Sequence, residues 1–134
     1  MTPSQFAQLY RSQGFNAELS VAGGRIAQIL CDAAGMEYTV TFYPRHEDGS
    51  SVDDFSAFTF LLRSNVPSYE TLEATNELNK LTRFVRHSVD ENMLSIEMDV
   101  AIPSDELTEE LAMRQVNVWI MAISRYRNAF VEQD

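Results

Sequence analysis

Apolar residues along the chain follow two periods, and the points where one gives way to the other mark the expected elements. Phe6, Leu9 and Tyr10 share one face of a helix that Thr2, Pro3 and Gln5 are suited to open. They supply an N-cap hydroxyl, a proline at the first helical position and a capping-box partner three residues on. Gly14 is the expected stop. From there the period changes to two: Ala17, Leu19 and Val21 alternate with Glu18 and Ser20, Gly23-Gly24 supplies a turn, and an apolar run from Ile26 to Cys31 completes a β-hairpin. Tyr38, Val40 and Phe42, set against Glu37, Thr39 and Thr41, make a third strand that Pro44 ends, and Phe58, Phe60 and Leu62 make a fourth. Residues 45–54 between them have no apolar period and read as a mobile polar surface loop.

Pro67-Ser68 then opens a second helix, with Ser68 as N-cap, Glu70 in the first turn and Leu72, Leu78 and Leu81 as buried positions. A second hairpin has its first arm near Phe84 to Val89. It turns through Asp90-Glu91-Asn92 into Leu94, Ile96, Met98, Val100 and Ile102, which alternate with Ser95, Glu97, Asp99 and Ala101. Pro103 closes that strand and Ser104 is the expected cap of a third helix. Acidic residues from Asp105 to Glu110 gather at its start and Arg125 and Arg127 at its end, as the helix dipole favours. The order α-β-β-β-β-α-β-β-α predicts an α+β fold, an antiparallel sheet with helices packed on it, in a single domain over residues 1–134.

The third helix is more apolar than that role requires. Asn117, Ser124, Asn128, Arg114 and Arg125 gather in a narrow polar sector, and Leu111, Val116, Val118, Trp119, Ile120, Ile123 and Phe130 fill most of the remainder. A helix that only covers a sheet needs an apolar arc somewhat over ~100° wide. The surplus predicts a homodimer or partner surface formed by Met113, Val116, Trp119 and Ile120. Trp119 lies at the middle of the arc and also suits the monomer core, whereas Met113 and Ile120 lie nearer its margin.

Composition narrows the function classes. With 134 residues, 45% hydrophobic and 22% charged, the chain is that of an ordinary globular domain. A net charge of −10 without a Lys/Arg cluster argues against nucleic acid and anionic membrane surfaces as partners. No apolar run approaches the roughly 20 residues of a membrane span. The single cysteine, Cys31, follows Ile29 and Leu30 and reads as a buried, inert thiol, which fits a reducing cytoplasm.

Few residues suggest chemistry. Asn76 and Asn79, three apart on the second helix, could contact a ligand, but the expectation is that they tie the helix to a neighbouring strand or loop. Glu97 and Asp99 share a strand face with Ser95 and could hold a divalent ion or act as an acid–base pair, yet no third ligand accompanies them. His46 and His87 lack zinc-ligand spacing and are expected at the surface. No catalytic residue, metal or cofactor is expected.

The segments Leu72-Glu73-Ala74-Thr75-Asn76-Glu77-Leu78-Asn79-Lys80, Leu94-Ser95-Ile96-Glu97-Met98-Asp99 and Leu107-Thr108-Glu109-Glu110-Leu111 resemble the YbjN family of bacterial sensory transduction regulators. That family is similar in fold to the class I type III secretion chaperones. Gly14-Phe15 and the strand from Tyr38 to Phe42 sit where the family has matching elements, so the likeness covers nearly the whole chain. Two features depart from the pattern: the 45–54 loop is longer than the family needs, and Ile102-Pro103-Ser104 lacks a glycine before the last helix. The resemblance implies a non-enzymatic, chaperone-like regulatory or adaptor domain, homodimeric, that engages an extended or helical segment of another protein. The rival readings are a dedicated type III secretion chaperone for one effector, and a small ligand-binding domain or enzyme using Glu97, Asp99 or His87.

Overall fold

The computed structural model describes residues 1–33, 35–46, 51–65, 75–80, 84–90 and 93–130. The first helix, α1 (Pro3–Ser12), opens as expected. The Thr2 hydroxyl accepts from the Gln5 amide at 3.1 Å and the Gln5 side chain accepts from the Thr2 amide at 2.8 Å, so two orphaned donors are satisfied reciprocally. Gly14, at φ +85°, turns the chain away, a conformation open to glycine because it has no Cβ to clash. Four strands follow, β1 (Asn16–Ala22), β2 (Ile26–Ala33), β3 (Met36–Pro44) and β4 (Phe55–Asn65). Helical residues 75–80 (α2) precede β5 (Arg86–Asp90) and β6 (Met93–Val100), and α3 (Glu109–Phe130) comes last. The fold is α+β in the order the sequence predicts.

The strands form one antiparallel six-stranded sheet in the order β1-β2-β3-β4-β6-β5. The two halves of the chain join at β4 and β6, whose register runs from Phe58↔Val100 to Asn65↔Met93. Because side chains alternate along a strand, that register commits each residue to one face. Ile29, Cys31, Tyr38, Val40, Phe42, Phe58, Phe60, Leu94, Ile96 and Met98 are buried on the face the helices cover. Phe6 of α1 sits among Phe42, Phe58 and Phe60, and Trp119 of α3 stacks on Phe60 with centroids 5.4 Å apart and meets the edge of Tyr38 at 5.5 Å. Such aromatic pairs contribute about 0.5–1.5 kcal/mol beyond their area.

No helix among the described residues lies on the opposite face, which is bonded within itself. Gln28 Nε2 donates to Thr41 Oγ1 at 3.1 Å, and Thr59 Oγ1 donates to Asp99 Oδ1 at 2.7 Å. These residues stand in one lateral row, Gln28↔Thr41↔Thr59↔Asp99, which gives that part of the uncovered face polar side chains with partners, while Ile26, Leu30 and Tyr43 stand exposed on the same face.

Three expectations need correction. Ser104 does not cap α3: it is buried, its amide donates to the Phe55 carbonyl at 3.0 Å and its hydroxyl to Asp54 Oδ1 at 2.9 Å. The cap is Thr108, whose Oγ1 accepts from the Leu111 amide at 3.2 Å. Phe84 is not part of β5, because its φ of +71° is left-handed and incompatible with a strand. His87 is not a surface residue: it is 4% exposed on the inward side of β5.

At the base of the 45–54 loop the Arg45 amide donates to the Asp54 carbonyl at 3.0 Å, and its guanidinium pairs with Asp54 at 3.3 Å and with Asp105. Residues 47–50 lie outside the described residues, as do the expected Ser68 cap and Leu72 and Leu81 of the second helix, while Leu78 is buried as expected. No described helix is long and apolar enough to cross a membrane.

Candidate functional site

The residues singled out for chemistry among the described ones, Glu97, Asp99 and His87, each have a neighbour that engages them. Arg86 lies directly across from Glu97 in the β5–β6 ladder. One arm of its guanidinium meets Glu97 Oε2 at 2.9 Å and the other meets Asp99 Oδ2 at 3.1 Å. The carboxylate pair that could have held a cation is thus forked onto an arginine, a geometry that suits the planar guanidinium. Arg86 and Asp99 are exposed and Glu97 is half-buried, all within reach of solvent, so each pairing is worth only about 0–1 kcal/mol. Among the described residues no group of three or more His, Cys, Asp or Glu could hold a metal ion.

Asn79 ties α2 to β5, as the residue pattern suggested, and Asn76 is exposed. The Asn79 Nδ2 donates to the His87 carbonyl at 2.9 Å while its Oδ1 accepts from the His87 amide at 2.8 Å. One carboxamide therefore does for β5 what a further strand would do. Both bonds together allow only one orientation of the amide, and its Oδ1 also lies 3.1 Å from His87 Nδ1. A carbonyl oxygen can only accept, so Nδ1 carries the proton and Nε2 is bare. Nε2 is buried with no hydrogen-bond partner among the described residues. Burial pushes the imidazole pKa below its ordinary value, which keeps the ring neutral.

Cys31 is a buried thiol, as expected, and burial pushes its pKa up to about 12, so the nucleophilic thiolate is suppressed. Tyr10 and Tyr38 share a short hydrogen bond between their hydroxyls, and burial raises both phenols above their ordinary value. The Tyr10–Tyr38 bond fastens α1 to β3, and all three side chains are buried away from solvent.

The sequence-predicted surface on α3 divides into two parts. Val116 and Trp119 are 1% and 0% exposed and belong to the chain's own core, which corrects their assignment to an interface. The helix packs on the sheet beside α1 and touches both, so its apolar arc is used more fully than a helix merely resting on strands would need. Met113 and Ile120 remain half-buried on its flank. Met113 borders a shallow groove between α1 and α3 that Leu9, Gln13, Asn117, Val118 and Met121 also line, with Glu109, Glu110 and Arg114 along it. Met121, which sequence reasoning passed over, is 59% exposed there. It lies two turns beyond Arg114 and one turn beyond Asn117 on the polar stripe, and its interruption of that stripe is the signal that could have found it.

Besides Tyr43 on β3, three exposed apolar side chains on strands lie near one edge of the sheet. Val21, Ile26 and Leu30, on β1 and β2, are 43%, 37% and 47% exposed. The β1 edge pairs without interruption from Asn16↔Asp32 to Ala22↔Ile26. Its one charged residue is Glu18, and it contains neither lysine nor proline. These are the devices by which natural edge strands discourage further pairing.

No curated protein and no solved structure matches the chain. The YbjN family model, described as "Putative bacterial sensory transduction regulator", matches residues 2–132. The match spans α1, the whole sheet and α3, so the chain belongs to the YbjN family.

Proposed function

We propose that this chain is a non-enzymatic regulatory adaptor that acts by binding another protein, and that it receives an amphipathic helix of that partner in the groove between α1 and α3. The observation that carries the reading is the groove's composition. Leu9, Met113, Val118 and Met121 form an apolar strip, and two of the four are methionines, whose flexible thioethers repack against varied apolar surfaces. A helix laid in such a groove makes contact through anchors at i, i+3, i+4 and i+7. Glu109 and Glu110 at one end favour a partner helix with Lys or Arg at the matching end. The non-enzymatic part of the reading is supported by the engagement of Glu97 and Asp99 with Arg86 and of His87 with Asn79.

The test compares baits. Wild type, Met121→Asp and Met113→Asp are used to recover proteins from a native lysate, and any protein recovered by wild type is supplied as synthetic helical segments and titrated. The expected result is a segment that binds wild type and loses at least roughly ten-fold in affinity to either variant, since a charge placed in an apolar contact is desolvated without a partner. Equal binding by all three, with circular dichroism showing the variants folded, overturns the reading. A single exported protein as the only ligand would instead indicate a dedicated secretion chaperone.

A further inference from the structure

The β1 edge is self-complementary, and we infer that two copies of this chain pair there, antiparallel about a twofold axis at Leu19, to make one continuous sheet. This inference is independent of the α1–α3 groove.

The direction of the backbone groups follows from two bonds. The Ala22 carbonyl accepts from the Arg25 amide at 3.1 Å within the β1–β2 turn, so Ala22 faces β2, and with it, by alternation, Ser20, Glu18 and Asn16. The Ala17 carbonyl accepts from Arg11 Nη1 at 2.8 Å, from outside the sheet, so Ala17, Leu19 and Val21 point their amides and carbonyls away from β2. An antiparallel copy centred on Leu19 sets Leu19 against Leu19 and Ala17 against Val21. These are the residues with outward backbone groups, so the ladder is completed in register.

The side chains agree with that register. On the helix-covered face Leu19 meets its copy and Val21, 43% exposed in the single chain, meets Ala17. On the other face Glu18 stands opposite Ser20, and Asn16 opposite Ala22, so no like charges are directly opposed. Moving the axis to Glu18 would oppose two carboxylates and leave fewer residues paired. All seven residues of β1 pair only when the axis lies at Leu19. The helix α1 packs against β1 and β2, and its Arg11 reaches the outward Ala17 carbonyl, which a second copy would have to take over.

A charge exchange tests both the surface and the register. Ser20 is exposed, so Ser20→Glu leaves the single chain intact but sets a carboxylate against Glu18 at two symmetric places. Sedimentation equilibrium of the full chain should give wild type at twice 15.2 kDa at tens of micromolar, with the dissociation constant weakened roughly ten-fold in Ser20→Glu. Adding Glu18→Lys to Ser20→Glu should restore the dimer, because opposite charges then face each other. A wild type that sediments at 15.2 kDa overturns the proposal. So does a Ser20→Glu protein that associates like wild type, or a double variant that fails to recover. Met121→Asp should leave the association unchanged, which separates failure here from failure of the groove.

Discussion

At β5 the sheet ends in a strand of five residues whose second residue, His87, is hydrogen-bonded on both its backbone groups by the side chain of Asn79, whereas at β1 it ends in a strand of seven whose outward backbone accepts a bond from Arg11 at Ala17. Any edge strand presents unpaired N–H and C=O groups, and the cost of burying them unpaired forces a choice between covering them and leaving them in water. The chain covers β5 with α2 and flanks it with Arg86 and Asp90. It leaves β1 with a single carboxylate and with exposed Val21 and Ile26 beside it. A sequence able to close one edge with a single carboxamide had the means to close the other, so the contrast separates an edge built for structure from one available for association.

The largest effect is expected where that closure is removed. Asn79→Leu keeps the side chain's approximate volume but withdraws both bonds to the His87 backbone, leaving an amide and a carbonyl against an apolar neighbour. Loss of such partners costs roughly 1–3 kcal/mol for each group, and because both bonds are only part-buried the lower half of that range applies, so urea unfolding should show a destabilisation of about 2–4 kcal/mol. Asn76→Ala, three residues earlier and exposed, should stay within about 0.5 kcal/mol. Equal effects at the two positions would mean that β5 is not closed by Asn79, and the contrast between the edges would fail.

His87 offers a second, smaller probe of the same edge. Its folded-state pKa lies below the ordinary 6.5 because the ring is buried. The unfolded chain therefore binds a proton at a higher pH than the folded one, and stability should rise with pH through this window. The contribution is fully present above about pH 6.5 and is lost as pH falls toward the depressed folded-state value, with a slope of at most about 1.4 kcal/mol per pH unit. The difference in unfolding free energy between wild type and His87→Gln, followed from pH 7.5 to 5.5, isolates this group from the carboxylates. A flat difference would show that His87 is not held neutral.

Much of this was legible in the residues, and the misreadings share a cause. The alternations at Tyr38-Val40-Phe42 and Leu94-Ile96-Met98 located strands because each inward position is apolar. The capping box at Thr2 and Gln5 located α1 because it is local chemistry. His87 was placed at the surface although it stands between Val85 and Val89, opposite in phase to Arg86, Ser88 and Asp90. The alternation was present, but a polar inward residue is tolerable only with a partner, and that partner, Asn79, comes from another element. Arg86 as the counterion of Glu97 and Asp99 was hidden for the same reason, since only the β5–β6 register brings them together. Val116 and Trp119 were read as interface because the apolar arc of α3 was measured against a sheet alone. The depth to which α3 sinks among α1 and the aromatic residues of β3 and β4 is set by packing, not by the helix's own sequence.

The smallest effect belongs to Arg11, and its value lies in having two signs. Its Nη1 donates to the outward Ala17 carbonyl at 2.8 Å, the acceptor that the Val21 amide of a second copy would use in the register centred on Leu19. In the single chain this is an exposed bond near the C-terminus of α1, where a cation also meets the favourable end of the helix dipole. Arg11→Ala should therefore lower the stability of the dilute, monomeric chain by roughly 0.5 kcal/mol. In association the guanidinium competes with the incoming strand, so its removal should tighten the dimer by about 2–5-fold, the equivalent of one modest hydrogen bond gained at each of two symmetric positions after the lost helix contact is offset. Sedimentation equilibrium at micromolar concentration and urea unfolding at high dilution read the two quantities separately. If association weakens together with stability, Arg11 supports the pairing surface instead of guarding it, and the β1 edge would not be open in the sense that its contrast with β5 requires.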